Sequence, residues 1–353
     1  MPVQYRLDLH AVSTGAKVAE FADFLGLAYT HRCNESGGVV LQLGEDAADV
    51  SFAENQQLEV YRRYPELGIP WYCEAGYLIE DVTTAIVKAA LQITVSGRGY
   101  LSLCDRRIVK DYASSTQAEK TGPAETVMKE IVTEQLGASA GAGRVFTGLT
   151  VQADGATGNN VSKGFCYRNV LEVLQELAGP GAVDFDIIGT GANAYEFRTY
   201  TGQRGTDRRS TVLFALVYDN MSDPVWTVSR SRVRNAVLVG GQGEQSARLT
   251  TWVEDAGLTA WTRRELFVDA RDSATTAGLT SKGKDALAAN KETDALQFAV
   301  LQTVSMAYGR DYFLGDLVRA SFAGLVADKK LNAVTIKVTR KDLETITPEL
   351  VDV

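Results

Sequence analysis

Three glycine-framed stretches could carry chemistry. Gly137-Ala138-Ser139-Ala140-Gly141 matches the G-x-S-x-G nucleophile elbow. That elbow needs a strand entering and a helix leaving, so that a strained serine hydroxyl stands exposed. Here the apolar spacing predicts a helix entering and a loop leaving. The chain has only two histidines, His10 and His31, both near the N-terminus. A Ser-His-acid relay therefore has little to draw on.

Gly189-Thr190-Gly191-Ala192-Asn193-Ala194 fits the dinucleotide pattern G-x-G-x-x-A. The pattern works only where a helix begins, because its free N–H groups hold the pyrophosphate. Residues Tyr195 to Tyr200 alternate like a strand instead, which makes this a hairpin turn. Gly278 to Asp285 is one residue from a P-loop, but Asp285 stands where the magnesium-holding hydroxyl belongs. A polar loop capping a short helix explains it better. No H-E-x-x-H, EF-hand loop or clustered metal-ligand set is present. The reading assigns no catalytic residue, no cofactor and no metal.

Arg230, Arg232 and Arg234 alternate with Ser231, Val233 and Asn235, which predicts that they share one face of a strand. That face is either solvated and salt-bridged or a patch that pairs with acidic groups on a neighbouring subunit. These three are the interface candidates. Trp71, Trp226, Trp252 and Trp261 lie in or beside predicted strands and are expected in the core.

The elements that must position these residues run β, then α, then β. Val39–Leu43, Leu58–Arg62, Trp71–Val82 and Leu91–Val95 are short β-branched or aromatic runs bounded by turn residues. A helix is predicted from Pro123, with Val127, Met128, Ile131, Val132 and Leu136 on one face until Gly137. A second is expected with Ser162 as its cap. Tyr167, Val170, Leu171, Leu174 and Leu177 form its stripe, and Gly179-Pro180 its stop. Residues 141–160 read as a long loop. Val183–Ile187 and Tyr195–Arg198 read as a hairpin.

Strands return at Val212–Tyr218, Trp226–Val239, Arg248–Val253, Glu265–Val268, Ala295–Met306, Leu317–Ser321 and Ala333–Arg340. One weak helix spans Thr280–Glu292. The fold class is α+β: a β domain over 1–105, a helical α/β insert over 106–202, and a second β domain over 203–353. Antiparallel barrels or sandwiches suit strands at this spacing.

The 353 residues are long enough for two or three cores. Their 32 glycines against seven prolines suit many tight turns between strands. The net charge of −8 argues against a protein that grips nucleic acid by neutralising phosphates. The N-terminus lacks the apolar core of a signal peptide, and no apolar run approaches the roughly 20 residues of a spanning helix. Cys33, Cys73, Cys104 and Cys166 contain no C-x-x-C and are expected to be reduced, mostly buried thiols.

Three stretches carry a resemblance. LEVYRRYPELGIPWYCEAGYLIEDV at 58–82, continuing into ITVSGRGYLSLCDRRIV at 93–109, resembles the N-terminal barrel of a siphophage baseplate hub, or tail-associated hub, of long non-contractile tails. KGFCYRNVLEVLQELA at 163–178 is similar to the helix of that family's insert domain. GRDYFLGDLVRA at 309–320 resembles the strand entry of the family's second barrel.

The resemblance implies a structural virion protein rather than an enzyme, with two tail-tube-like antiparallel β-barrels and a helical α/β insert. It implies a homotrimer whose six barrels ring the DNA channel at the tail tip. Implied neighbours are the distal tail or tail tube protein, the tape measure protein and a central fibre or spike protein. DNA would pass without specific binding, and no membrane insertion by this chain is implied. Assembly would occur in the host cytoplasm. The chain ends at Val353, directly after the last predicted strand, so any cell-wall cleavage is expected on another protein. A lumen biased toward Asp and Glu would repel passing phosphates.

Two other readings stay open. One is a tail-associated cell-wall hydrolase with paired carboxylates in a cleft. The other is a monomeric carbohydrate-binding adhesin whose tryptophans form an exposed platform.

Overall fold

The structure, a computed structural model, describes residues 3–110, 118–271, 273–339 and 343–353. The final residue of the Ala333–Arg340 strand expected above lies outside them.

The chain is mostly β. Its first part runs β1 (Gln4–His10), β2 (Lys17–Phe21), β3 (Gly26–Arg32), β4 (Gly38–Leu43), β5 (Gln57–Tyr64), β6 (Ile69–Val87), β7 (Ala90–Gly99) and a one-turn helix α1 (Ser102–Asp105). The middle holds β8 (Ala118–Pro123), α2 (Ala124–Gln135), β9 (Leu149–Val151), β10 (Asn160–Phe165), α3 (Val170–Gly181), β11 (Val183–Gly191) and β12 (Ala194–Thr201). Then come β13 (Leu213–Ala215), β14 (Met221–Ser229), β15 (Ala236–Gly240), β16 (Thr250–Glu254), β17 (Glu265–Asp269) and α4 (Thr276–Ala289). The chain finishes with β18 (Thr293–Val300), β19 (Leu317–Phe322), β20 (Leu325–Thr339) and β21 (Glu344–Asp352).

Period-two burial builds the main sheet. Tyr5, Leu7 and Leu9 of β1, Val39, Leu41 and Leu43 of β4, and Ile336 and Val338 of β20 turn inward. The sheet has 13 strands in the path β14-β18-β21-β20-β3-β4-β7-β6-β5-β1-β2, with β19 on β20 and β13 on β19. The antiparallel β3–β20 ladder, from Ala333 opposite Arg32 to Thr339 opposite Gly26, joins the first and last parts of the sequence. The expectation of two barrels thus takes another form: among the described residues the strands of the two expected β domains, apart from β15, β16 and β17, share one sheet, and no closed barrel is found.

In the middle of the chain, α2 and α3 pack on the three-stranded sheet β11-β12-β9. Val127, Met128, Ile131, Val132, Val173, Leu174 and Leu177 are buried there, and the same core takes in Leu78, Tyr100 and Leu101. Pro123 caps α2 rather than opening it. The cap of α3 is Asn169, whose side chain accepts from the N–H groups of Leu171 and Glu172 at 2.8 and 3.3 Å. Ser162 lies in β10 instead, and Tyr167 precedes the helix with its side chain exposed. The β11–β12 hairpin forms as read. The expected loop at 141–160 carries one short strand, β9, which pairs in parallel with β12.

The chain divides into two compact units: residues 1–224 with 297–351 and 353, and residues 225–296 with 352. In the second unit, β15 is flanked by β16 and β17, and α4 packs on one face. Gly278 to Asp285, the near P-loop, lies inside α4, and the Thr275 hydroxyl caps the helix at the Gly278 N–H.

Candidate functional site

The segment Gly309–Ala320, singled out by its sequence, is a clasp within the first unit. Asp316 is 2% exposed and accepts from the Thr206 N–H at 2.6 Å, Arg208 Nε at 2.7 Å and the Phe313 N–H at 2.8 Å. The Gly-Asp pair has a steric reason. Gly315 sits at φ +89°, and a Cβ there would lie 2.8 Å from the Arg204 Cβ. On the same segment, Arg310 donates to the Leu67 carbonyl at 2.6 Å. Gly309, at φ +86°, lets the backbone approach Tyr72, whose hydroxyl would be 2.4 Å from an added Cβ.

Beneath the clasp lies an ionic cluster that the sequence reading missed. Leu58 and Val60 point inward on β5, and Arg62 continues that phase with no exposure. Glu344 does the same ahead of Ile346 and Leu350 on β21. The two meet in a two-pronged pair, with Nε to Oε1 at 2.7 Å and Nη2 to Oε2 at 2.8 Å. Arg62 Nη1 also donates to the Tyr308 carbonyl at 3.1 Å and the Tyr72 hydroxyl at 3.3 Å. Glu74 accepts from Tyr29 at 2.9 Å and Tyr72 at 3.2 Å. Burial holds the Glu74 carboxyl above the usual carboxylate range, against the pull of Arg62. The signal was in the sequence: a charge at a core-phase position of an alternating strand.

A cavity of about 270 Å³ is lined by His31, Glu59, Glu74, Asp186 and Arg204 among others, and it tests the hydrolase reading. A glycosidase acid needs a raised pKa on an accessible carboxyl. Glu74 is raised, but its side chain is 3% exposed and engaged by two tyrosines. Asp186 is lowered: burial opposes its charge, and Arg204 and His31 more than offset that. Glu59 accepts from Gln57 and Tyr61, both at 2.9 Å. These groups are ordered by one another, as in a structural network. Among the described residues, no three or more His, Cys, Asp or Glu gather where a metal ion could sit. No helix among them is long and apolar enough to cross a membrane.

The three arginines are not on a strand. The run expected over Trp226–Val239 breaks into β14 and β15, and Arg230, Arg232 and Arg234 lie in the connection between them. Arg230 bridges Glu292 with Nε to Oε2 at 2.5 Å, Arg232 is exposed, and Arg234 donates to the Val233 carbonyl at 2.8 Å. The tryptophans also depart from expectation. Trp71, Trp252 and Trp261 are 37%, 44% and 97% exposed, and Trp226 is partly buried. All four cysteines are free, but only Cys33 and Cys104 are buried. Burial pushes the Cys33 thiol up to about 12.

The fold and clasp define a β-rich scaffold tied together by its last strands. Residues 15–350 match the model of the Siphovirus ReqiPepy6 Gp37-like protein family, and the chain belongs to that family of phage tail proteins. No curated protein matches. Among solved structures, the chain is similar to the 43 kDa tail protein of prophage MuSo2 from Shewanella oneidensis. The TM-score is 0.66 at 14% identity, over 99% of this chain and 98% of that one. A tail protein from Neisseria meningitidis MC58 gives 0.61 at 14% identity, over 99% and 97%. A type VI secretion system component from E. coli, reported as structurally similar to the T4 bacteriophage tail proteins gp27 and gp5, gives 0.50 at 9% identity. It is covered over 76% of its length by 98% of this chain.

Proposed function

We propose that this chain is the baseplate hub of a siphophage tail tip. Three copies form a ring that joins the tail tube to a central fibre or spike and surrounds the DNA channel. Each copy contributes two β lobes, drawn from 1–105 and 203–353, with 106–202 as the insert between them. In this reading the distal tail or tail tube protein and the tape measure protein are its neighbours, and the chain carries no catalysis of its own. DNA passes without specific binding, as the net charge of −8 suits.

The observation that carries the reading is end-to-end likeness to a tail protein, 99% of this chain on 98% of that one. The open sheet adds physical support. Its terminal strands β2 and β14 leave ladder groups for pairing or abutment with a neighbour. The far end of the β6–β7 hairpin adds apolar surface: Val82, Ile86 and Val87 are 42%, 70% and 44% exposed. Sedimentation tests the reading: the purified protein is expected to reach three times its 38.2 kDa chain mass as concentration rises. A strict monomer at the highest attainable concentration contradicts it.

A further inference from the structure

The turn after α1 and the loop after α2 bring two half-buried arginines together. Arg107 donates from Nε to the Arg144 carbonyl at 3.4 Å and from Nη1 to the Arg106 carbonyl at 3.0 Å. Arg144 donates from Nη2 to the Ile108 carbonyl at 2.7 Å and to Gln135 Oε1 at 2.9 Å. The Arg107 guanidinium also lies over the Phe146 ring, 4.4 Å from its centre. Both cationic heads are thus held in place by uncharged groups.

No acid faces them. Other arginines in this part of the chain are paired: Arg106 with Glu80 at 2.9 Å, Arg168 with Glu176, and Arg198 with Glu196. Among the described residues, neither Arg107 nor Arg144 forms an ion pair. Burial, and then the charges of Arg144 and Arg106, pull the Arg107 guanidinium below its ordinary range, and no carboxylate opposes that pull. A local electrostatic rule broken without a compensating contact is characteristic of a binding site.

The donors left over define the ligand. A guanidinium has five N–H groups, and the bonds above leave Arg107 Nη2 and Arg144 Nε and Nη1 without an acceptor among the described residues. Such planar forks fit the paired oxygens of a carboxylate or a phosphate. Two observations choose a carboxylate on a polypeptide. Apolar side chains flank the pair, with Ile108 48%, Val145 45% and Tyr167 66% exposed, and the Tyr167 N–H is tied to the Val109 carbonyl at 2.7 Å. Arginine and tyrosine beside an aromatic ring are the residues enriched in protein–protein hot spots. Second, the net charge of −8 opposes a nucleic acid, with its whole backbone of phosphates, far more than a peptide with a single carboxylate.

We infer that Arg107 and Arg144 bind a carboxylate on an acidic segment of a partner polypeptide, with Ile108, Val145 and Tyr167 meeting that segment's apolar side chains. The inference goes beyond the hub reading. It survives if the ring does not form, and its failure leaves the ring untouched.

The test uses the purified full chain and two labelled peptides, one alternating Glu with Leu and Tyr, the other carrying Gln in place of each Glu. Wild type should bind the Glu peptide about tenfold or more tighter than the Gln peptide, and more weakly as salt rises. Arg107→Met should lose that preference with a melting temperature at or above the wild-type value, because the repulsion from Arg144 and Arg106 is relieved. Hydrogen exchange of the wild type needs no variant: the Glu peptide should slow exchange at 106–109 and 144–147. Equal binding of the two peptides, binding of neither, or protection only elsewhere overturns the inference. Undiminished binding by Arg107→Met, or a melting temperature several degrees lower, makes Arg107 a structural tie and overturns it as well. Tighter binding of a single-stranded oligonucleotide than of the Glu peptide assigns the pair to phosphate and also overturns it.

Discussion

Arg62 and Glu344, 282 positions apart in sequence, form a two-pronged ion pair in the protein interior, and Glu74 lies within 4.0 Å of the same guanidinium. The pair fastens β5 to the last strand. A lone buried charge is far costlier than a paired one. Arg62→Met leaves Glu344 and Glu74 without their cation and is expected to cost about 3–5 kcal/mol in urea unfolding. Adding Glu344→Leu to Arg62→Met should restore part of that loss. Strictly additive losses in the double variant would show that the two side chains do not act as a pair.

Asp316 holds three donors from two segments of chain. Asp316→Asn keeps its shape but takes the charge from Arg208 and turns one acceptor into a donor. The expected loss is about 1–3 kcal/mol by thermal or denaturant unfolding, because buried N–H groups lose a partner. An unchanged midpoint would remove the clasp from the account.

Glu125 supplies a pH signature. Burial raises its pKa, but bonds from Lys129 and Thr157 outweigh that and hold it down at about 2. A carboxyl whose folded pKa is depressed stabilises the fold fully above its unfolded pKa of roughly 4.3, and the contribution fades as pH falls toward the folded value. Wild type should therefore exceed Glu125→Gln in stability at pH 7. The gap should shrink between about pH 4.5 and 2. A gap independent of pH would contradict the assignment.

The β6–β7 ladder continues to Val87 opposite Ala90, where β6 residues 81–87 are exposed. Ile86→Ser/Val87→Ser should change the melting of the dispersed chain little, by about 0.5 kcal/mol or less, as exposed substitutions do. In the ring reading the same double variant weakens self-association, measured by sedimentation. A large drop in melting temperature would place these side chains in a core.

Sequence reading found α2, α3 and the β11–β12 hairpin because each is a local pattern: an apolar stripe with a stop, or alternation across a glycine turn. It lost the β3–β20 ladder because pairing across 300 residues leaves no local trace. The sequence offers Ser162 as a cap where Asn169 serves, since both side-chain types accept backbone N–H groups. Arg230, Arg232 and Arg234 imitate a strand by alternation, although the backbone turns there. The motif at 309–320 was legible as a motif, but its cause, Asp316 gathering Thr206, Arg208 and Phe313, depends on the tertiary fold.

Charge gives a prediction for the assembled ring. A trimer would carry three times −8, and a channel that passes DNA without holding it should lack cationic contacts. A map of the ring should show its lumen richer in Asp and Glu than its outer surface. A bore lined by Lys and Arg would refute this.

The most direct test is electron microscopy of the purified chain at concentrations where it self-associates. The hub account predicts a threefold ring with a central hole wide enough for duplex DNA. Particles that associate without threefold symmetry, or without a hole, would contradict it.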